Sequence, residues 1–104
     1  MLYSKEDTAK IHEQTFAFLE IEESNHLLTI TLNRPEKKNA MNPTMMREVA
    51  FALTYAHYTN DVWAVVVAAN GDIFSAGADL KSFAGQSEED NSTVPQPDGD
   101  IVIG

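Results

Sequence analysis

The stretch VWAVVVAANGDIFSAGADLKSF, residues 62–83, decides the fold. It opens with VWAVVVAA, a continuous apolar run bounded by Asn60-Asp61 and Asn70-Gly71. A run this short and this rich in valine predicts a strand buried on both faces, as in parallel sheets. Phe74-Ser75-Ala76-Gly77-Ala78-Asp79-Leu80-Lys81 follows, and most of its residues are small. Small side chains let the backbone pass close to a ligand. Asp79 stands where an acid favours a helix start, near the positive end of the dipole. Amides at such a start have no intrahelical partner and can donate to a developing negative charge. Two readings are open: an anion or oxyanion site at the carboxyl end of a strand, or a small-residue turn that serves only close strand–helix packing.

Upstream, Asn42-Pro43 is a helix start, with Asn as N-cap and Pro at the first helical position. Met45, Val49, Ala52, Leu53 and Ala56 recur at helical spacing, so an amphipathic helix ends near Tyr58. Before it lie two runs with strand character. Residues 16–22 place Phe16 and Phe18 on one face and Leu19 and Ile21 on the other. Residues 26–32 alternate, with Leu28, Ile30 and Leu32 opposite Thr29 and Thr31. Glu23-Ser24-Asn25 is the turn of the antiparallel hairpin they suggest. Residues 4–15 form a short helix capped by Ser4, with Glu6 and Asp7 in its first turn. Strand, helix and buried strand make a right-handed βαβ crossover, and the fold class is α/β.

The 104 residues carry a formal net charge of −9 and no cysteine. No thiolate metal site, disulfide or cysteine nucleophile is therefore available, and a reducing, intracellular and cytoplasmic setting is expected. The acidic balance argues against nucleic-acid or membrane-surface binding. No stretch approaches the roughly 20 apolar residues of a membrane span, and the N-terminus is too polar for a secretory signal. The charge is uneven: residues 82–104 hold five acids and no base. Within them, residues 85–100, GQSEEDNSTVPQPDGD, read as a solvated polar loop or an acidic docking site. Ile101-Val102-Ile103 then begins an apolar segment whose remainder lies elsewhere. The chain thus divides into an extension over residues 1–15, an α/β part over 16–84 and a polar loop with a segment start over 85–104.

Other chemistries find no support. Gly71 and Gly77 do not make a dinucleotide fingerprint, and no phosphate-loop motif occurs. His12, His26 and His57 form no ligand pair, so no metal site is expected. Ser75 lacks the frame of a nucleophile elbow. Glu88, Glu89 and Asp90 read as solvated carboxylates.

The order of these elements resembles the enoyl-CoA hydratase/isomerase (crotonase) family. FAFLEIEESNHLLTITLNRPEKKNAMN looks like that family's opening hairpin and Asn-Arg-Pro loop. VWAVVVAANGDIFSAGADLKSF looks like its buried strand and first acyl-CoA-binding loop. The resemblance covers residues 16–83. It implies a crotonase-like fold, of which this chain supplies the N-terminal part. It also implies that the Ala78 backbone N–H is one donor of an oxyanion hole. Ala76, Asp79, Leu80 and Lys81 match the CoA-binding loop. Lys37 or Lys38 either approaches the CoA phosphates or is an ordinary surface lysine.

The implied activity is that of a lyase or isomerase: an acyl-CoA thioester is bound and its enolate oxyanion stabilised during hydration of a 2-enoyl-CoA. No cofactor is implied beyond the coenzyme A of the substrate. The second oxyanion donor and the acid/base carboxylates belong to later parts of family members, so the 104 residues alone are expected to be inactive. The implied partners are a C-terminal half of the domain and further copies in a homotrimer or hexamer. The alternatives are a non-catalytic acyl-CoA-binding or scaffold module, or another chemistry of the family, such as isomerisation, decarboxylation or dehalogenation.

Overall fold

A computed structural model of the chain describes residues 3–83 and 90–97. Helix α1 spans Lys5–Thr8 and is followed by a 3-10 turn at Ile11–Glu13. Strands β1 (Leu19–Ser24) and β2 (Leu27–Leu32) form an antiparallel hairpin in which Leu19 pairs with Leu32. A 3-10 turn at Pro35–Lys37 leads to helix α2 (Pro43–Tyr58). Strand β3 (Ala64–Ala69) pairs parallel with β2, Leu28 beside Val65 and Ile30 beside Val67. A short helix, α3, covers Leu80–Phe83. The sheet order is β1-β2-β3, so β2–α2–β3 is the expected parallel crossover.

The helix start follows the sequence residue by residue. Asn42 Oδ1 accepts from the Met45 N–H at 2.7 Å, and Pro43 occupies the first turn. Ser4 caps α1 in the same way, accepting from the Asp7 N–H at 3.0 Å. The expected helix over residues 4–15, however, is broken into α1 and the 3-10 turn.

The first strand is shifted from its expected place. Residues 16 and 17 do not join the ladder and Phe18 joins it only through its carbonyl, which accepts from the Asn33 N–H at 2.8 Å, because the Ala17 and Phe18 N–H groups donate to the carboxylate of Glu48 on α2, at 2.6 and 2.9 Å. At the other end, the hairpin turns at Asn25-His26 instead of Glu23-Ser24-Asn25. Both turn residues have positive φ, 52° and 65°, as a two-residue hairpin loop of matching twist requires. A histidine holds that conformation because its ring stacks on Trp63, with centroids 3.8 Å apart and planes 5° apart. His26 Nδ1 also lies 2.8 Å from the Asp61 carbonyl oxygen.

Leu28, Ile30 and Leu32 form the sheet side of the core, together with Met45 and Ala52 of α2. The buried face of α2 is wider than its aliphatic residues suggest. Phe51 and Tyr55 are buried, whereas Leu53 is 44% exposed. The N-terminal segment and the end of the hairpin cover this second stripe. Tyr3 and Phe16 pack edge-to-face on Phe51 at 5.1 and 6.3 Å. Burial pushes the Tyr3 phenol up to about 12. At the far end of α2, the Tyr55 hydroxyl donates to Glu23, which also meets His12 Nε2 at 3.0 Å. The hydrogen bond from Tyr55 holds the Glu23 carboxyl below its ordinary range.

Residues 90–97 remain mostly exposed, as a polar stretch does, but they are anchored to the rest of the chain at several points. Val94 is buried, the Tyr3 hydroxyl donates to the Pro95 carbonyl at 2.7 Å, and the Thr93 N–H donates to the Thr15 carbonyl at 2.9 Å. Asp90 is partnered as well, accepting from Thr44 Oγ1 at 2.9 Å. One apolar side chain and a series of polar contacts to residues far away in sequence suffice to seat the segment. Residues 84–89, with Glu88 and Glu89, and the apolar start at residues 101–103 lie outside the described residues.

Strand β3 is not buried on both faces. Val65, Val66 and Val67 are 37%, 44% and 42% exposed. On the described chain, β3 is an edge strand with β2 on one side only. Among the described residues no helix is long and apolar enough to cross a membrane.

Candidate functional site

The β2–α2 connection and the segment after β3 leave the same end of the sheet and are fastened together along their length. Asn39 is fully buried between them. Its Oδ1 accepts from the Arg34 N–H at 2.8 Å, and its Nδ2 donates to the Asn70 and Ile73 carbonyls at 2.7 and 2.9 Å. Ser75 Oγ donates to the Asn39 carbonyl at 2.9 Å and accepts from the Gly77 N–H at 3.1 Å. Lys38 and Asn39 both sit at φ 54°, a left-handed conformation that asparagine adopts more readily than most residues.

Gly71 explains how closely the segments approach. Its φ is +91°, and a Cβ built there would lie 3.0 Å from Pro35 Cβ. Gly71→Ala is therefore expected to destabilise the fold by about 1–2 kcal/mol, from backbone strain and crowding together. Chemical denaturation measures the loss, and an unchanged midpoint would contradict the close approach. A shallow hollow of about 150 Å³ beside this contact is lined by Lys38, Asn39, Asp72 and their neighbours, and it does not reach Ala78.

The geometry at Ala78 follows from one peptide plane. Met41 and Ala78 form an isolated parallel bridge. The Met41 N–H donates to the Gly77 carbonyl at 2.7 Å, and the Asp79 N–H donates to the Met41 carbonyl at 2.8 Å. Among the described residues no peptide bond is cis, so the Ala78 N–H points from the opposite edge of its peptide plane to the Gly77 carbonyl oxygen. Because that oxygen faces Met41, the Ala78 N–H points away from it. Ala78 is exposed, and no described residue accepts from its N–H.

The other expected site residues divide into two groups. The Ala76 N–H donates to the Lys38 carbonyl at 3.0 Å, which brings the second segment against the first lysine-bearing turn. The Asp79 carboxylate turns inward, and its Oδ2 accepts from Arg34 NH1 at 3.0 Å. Leu80 is 78% exposed, and Lys37, Lys38 and Lys81 are exposed as well. Among the described residues no group of three His, Cys, Asp or Glu side chains can hold a metal ion.

Residues 22–100 match the family model described as enoyl-CoA hydratase/isomerase. The chain belongs to that family. Its similarity to the mitochondrial Δ(3,5)-Δ(2,4)-dienoyl-CoA isomerase of Rattus norvegicus is 40% identity over 77 residues, covering 74% of this chain and 21% of the isomerase. Against a probable enoyl-CoA hydratase of Rhizobium meliloti it is 38% identity over 71 residues, covering 68% of this chain and 28% of the hydratase. Among solved structures, an enoyl-CoA hydratase/isomerase of Pseudoalteromonas atlantica T6c superposes with a TM-score of 0.64 at 39% identity, covering 68% of this chain and 28% of that one. The chain therefore spans between a fifth and a third of the length of such relatives, and it carries a part of the crotonase-like fold.

In this member of the family, Arg34, Asn39 and Ser75 hold the site together, and the sequence alone assigned none of them a role. Arg34 was legible as part of an Asn-Arg-Pro motif. Its burial and its pairing with a residue 45 positions later were not.

Proposed function

We propose that this chain supplies one oxyanion donor and part of the coenzyme A site of an acyl-CoA hydratase or isomerase. The observation that carries the proposal is the Ala78 N–H, turned outward by a peptide plane whose carbonyl is fixed on Met41. When a proton leaves the carbon next to a thioester, or water adds across an α,β double bond, negative charge gathers on the thioester oxygen. A backbone N–H already aimed at that oxygen stabilises the charge without reorganising. Ala76, Asp79, Leu80 and Lys81 are assigned to the backbone that lies along the CoA moiety, and Lys37, Lys38 and Lys81 are the cations available to its phosphates.

The general acid and base and the second donor are assigned to parts of the protein beyond these residues, so residues 1–104 alone are expected to be inactive. The reading includes an oligomer, a homotrimer or hexamer. It also includes a cytoplasmic setting, on the cysteine-free composition, although the rat relative is mitochondrial by name.

The full-length protein, given a short 2-enoyl-CoA and separately a 3,5-dienoyl-CoA, is expected to consume at least one of them, followed by the change in conjugated-thioester absorbance. Both substrates are needed because the relatives include a dienoyl-CoA isomerase and a probable enoyl-CoA hydratase. Binding of a saturated acyl-CoA without turnover of either substrate would favour the non-catalytic module. Neither binding nor turnover would overturn the proposal.

A further inference from the structure

We infer that Arg34 and Asp79 are a positioning pair that holds the Ala78 N–H in the direction the Met41 bridge sets. This rests on the reading of Ala78 given above and adds a side-chain device to the backbone bridge. The Arg34 side chain is fully buried and that of Asp79 is 19% exposed. One nitrogen of the guanidinium, NH1, donates both to the Ala40 carbonyl at 2.8 Å and to Asp79 Oδ2 at 3.0 Å. The guanidinium carbon lies 5.6 Å from the centre of the Phe18 ring, which is part of the core.

Burying a guanidinium beside an aromatic core is costly before pairing, and a well-packed apolar pair of similar volume is often no less stable. Stability alone therefore does not account for a charge pair here, whereas its position does. Asp79 is bonded directly to Ala78, and the partner cation is anchored at the end of β2. From Arg34 the contacts run through Asn39 to the carbonyls of Asn70 and Ile73. Residues 70–79 are thereby tied to the β2–α2 connection on both sides of the turn. The bridge through Met41 holds the backbone at residues 77 and 79, and Gly77, at φ +93°, has open space around its Cβ position. Without the ion pair, the 77–78 peptide is held by the two Met41 hydrogen bonds alone, beside a glycine whose backbone offers little resistance to rotation.

The test uses the full-length protein and three variants, Asp79→Asn, Asp79→Ala and Asp79→Glu. Steady-state kinetics with a short 2-enoyl-CoA are paired with the affinity for the saturated acyl-CoA of equal length. A misaimed donor lowers kcat by about 10–100-fold, while KM and the saturated-ligand affinity stay within roughly threefold, because the ground-state contacts survive. Asp79→Glu keeps the charge and moves it by one methylene. Its kcat is expected to fall while its thermal midpoint stays near that of the parent, which keeps the test alive if Asp79→Ala does not fold. Unchanged kcat in all three variants, with Ala78→Pro inactive, overturns the positioning pair and leaves the reading of Ala78 intact. Loss of kcat and affinity together, in proportion to the folded fraction, reduces the pair to a structural contact. An active, folded Ala78→Pro overturns both.

Discussion

Replacing Ala78 by proline in the full-length protein is expected to lower kcat for a short 2-enoyl-CoA by about 10²–10³-fold, the usual consequence of removing one oxyanion donor. Proline has no N–H, so the substitution deletes the donor and leaves the Gly77 carbonyl available to the Met41 N–H. The Asp79 N–H, bonded to the Met41 carbonyl, is likewise retained. Ala78→Gly is the matching control: it keeps the N–H and is expected to keep most of the activity. Thermal unfolding and binding of a saturated acyl-CoA separate lost chemistry from lost folding. A folded Ala78→Pro protein that binds the saturated ligand and turns over like the parent would remove the catalytic role assigned to this amide.

The second large effect is on stability. Glu48→Ala is expected to destabilise the full-length protein by about 2–5 kcal/mol, because one buried and one part-buried N–H group lose their acceptor. Glu48 is fully buried, and its two oxygens serve different peptides, Oε2 taking the Ala17 N–H and Oε1 the Phe18 N–H. Those peptides precede β1 and donate to Glu48 in place of a strand partner. A loss of this size is a large part of the 5–15 kcal/mol typical of a whole domain. Glu48→Gln keeps the shape but offers one oxygen and one NH₂, so one of the N–H groups faces another donor, and an intermediate loss is expected.

Burial also pushes the Glu48 carboxyl up from 4.5. The folded state therefore holds this proton more tightly than the unfolded chain does. The contribution of Glu48 is full below the unfolded-state pKa and declines as pH rises through the folded value. Denaturation midpoints of the parent and Glu48→Gln, compared across that range, should converge as pH rises. Divergence would mean that the two amide bonds outweigh burial.

Local signals in the sequence were reliable where one residue does one job. Asn42 and Pro43 set the start of α2 because capping needs only the next three residues. The alternation of Leu28, Ile30 and Leu32 gave the buried face of β2 because side-chain direction in a strand has a period of two. The order strand, helix, apolar strand gave the parallel crossover, and the resemblance carried by residues 16–83 gave the family. Less legible was anything set by a distant partner. The aliphatic residues of α2 pointed to Leu53, but Phe51 and Tyr55 are buried there because Tyr3, Phe16 and the hairpin end come to meet them.

The sequence by itself determined the kinds of element, their order and the loop that bears Ala78, since these follow from periodicity, capping and small-residue spacing over a few neighbouring positions. Only the tertiary structure decided which way the Ala78 N–H points. That direction is set by the Met41 N–H on the Gly77 carbonyl, 36 residues apart, with Arg34 holding Asp79 from across the same junction. A peptide plane has no side chain to reveal its orientation in a sequence. Its partners become neighbours only once β2 and β3 lie side by side and deliver both connections to one end of the sheet.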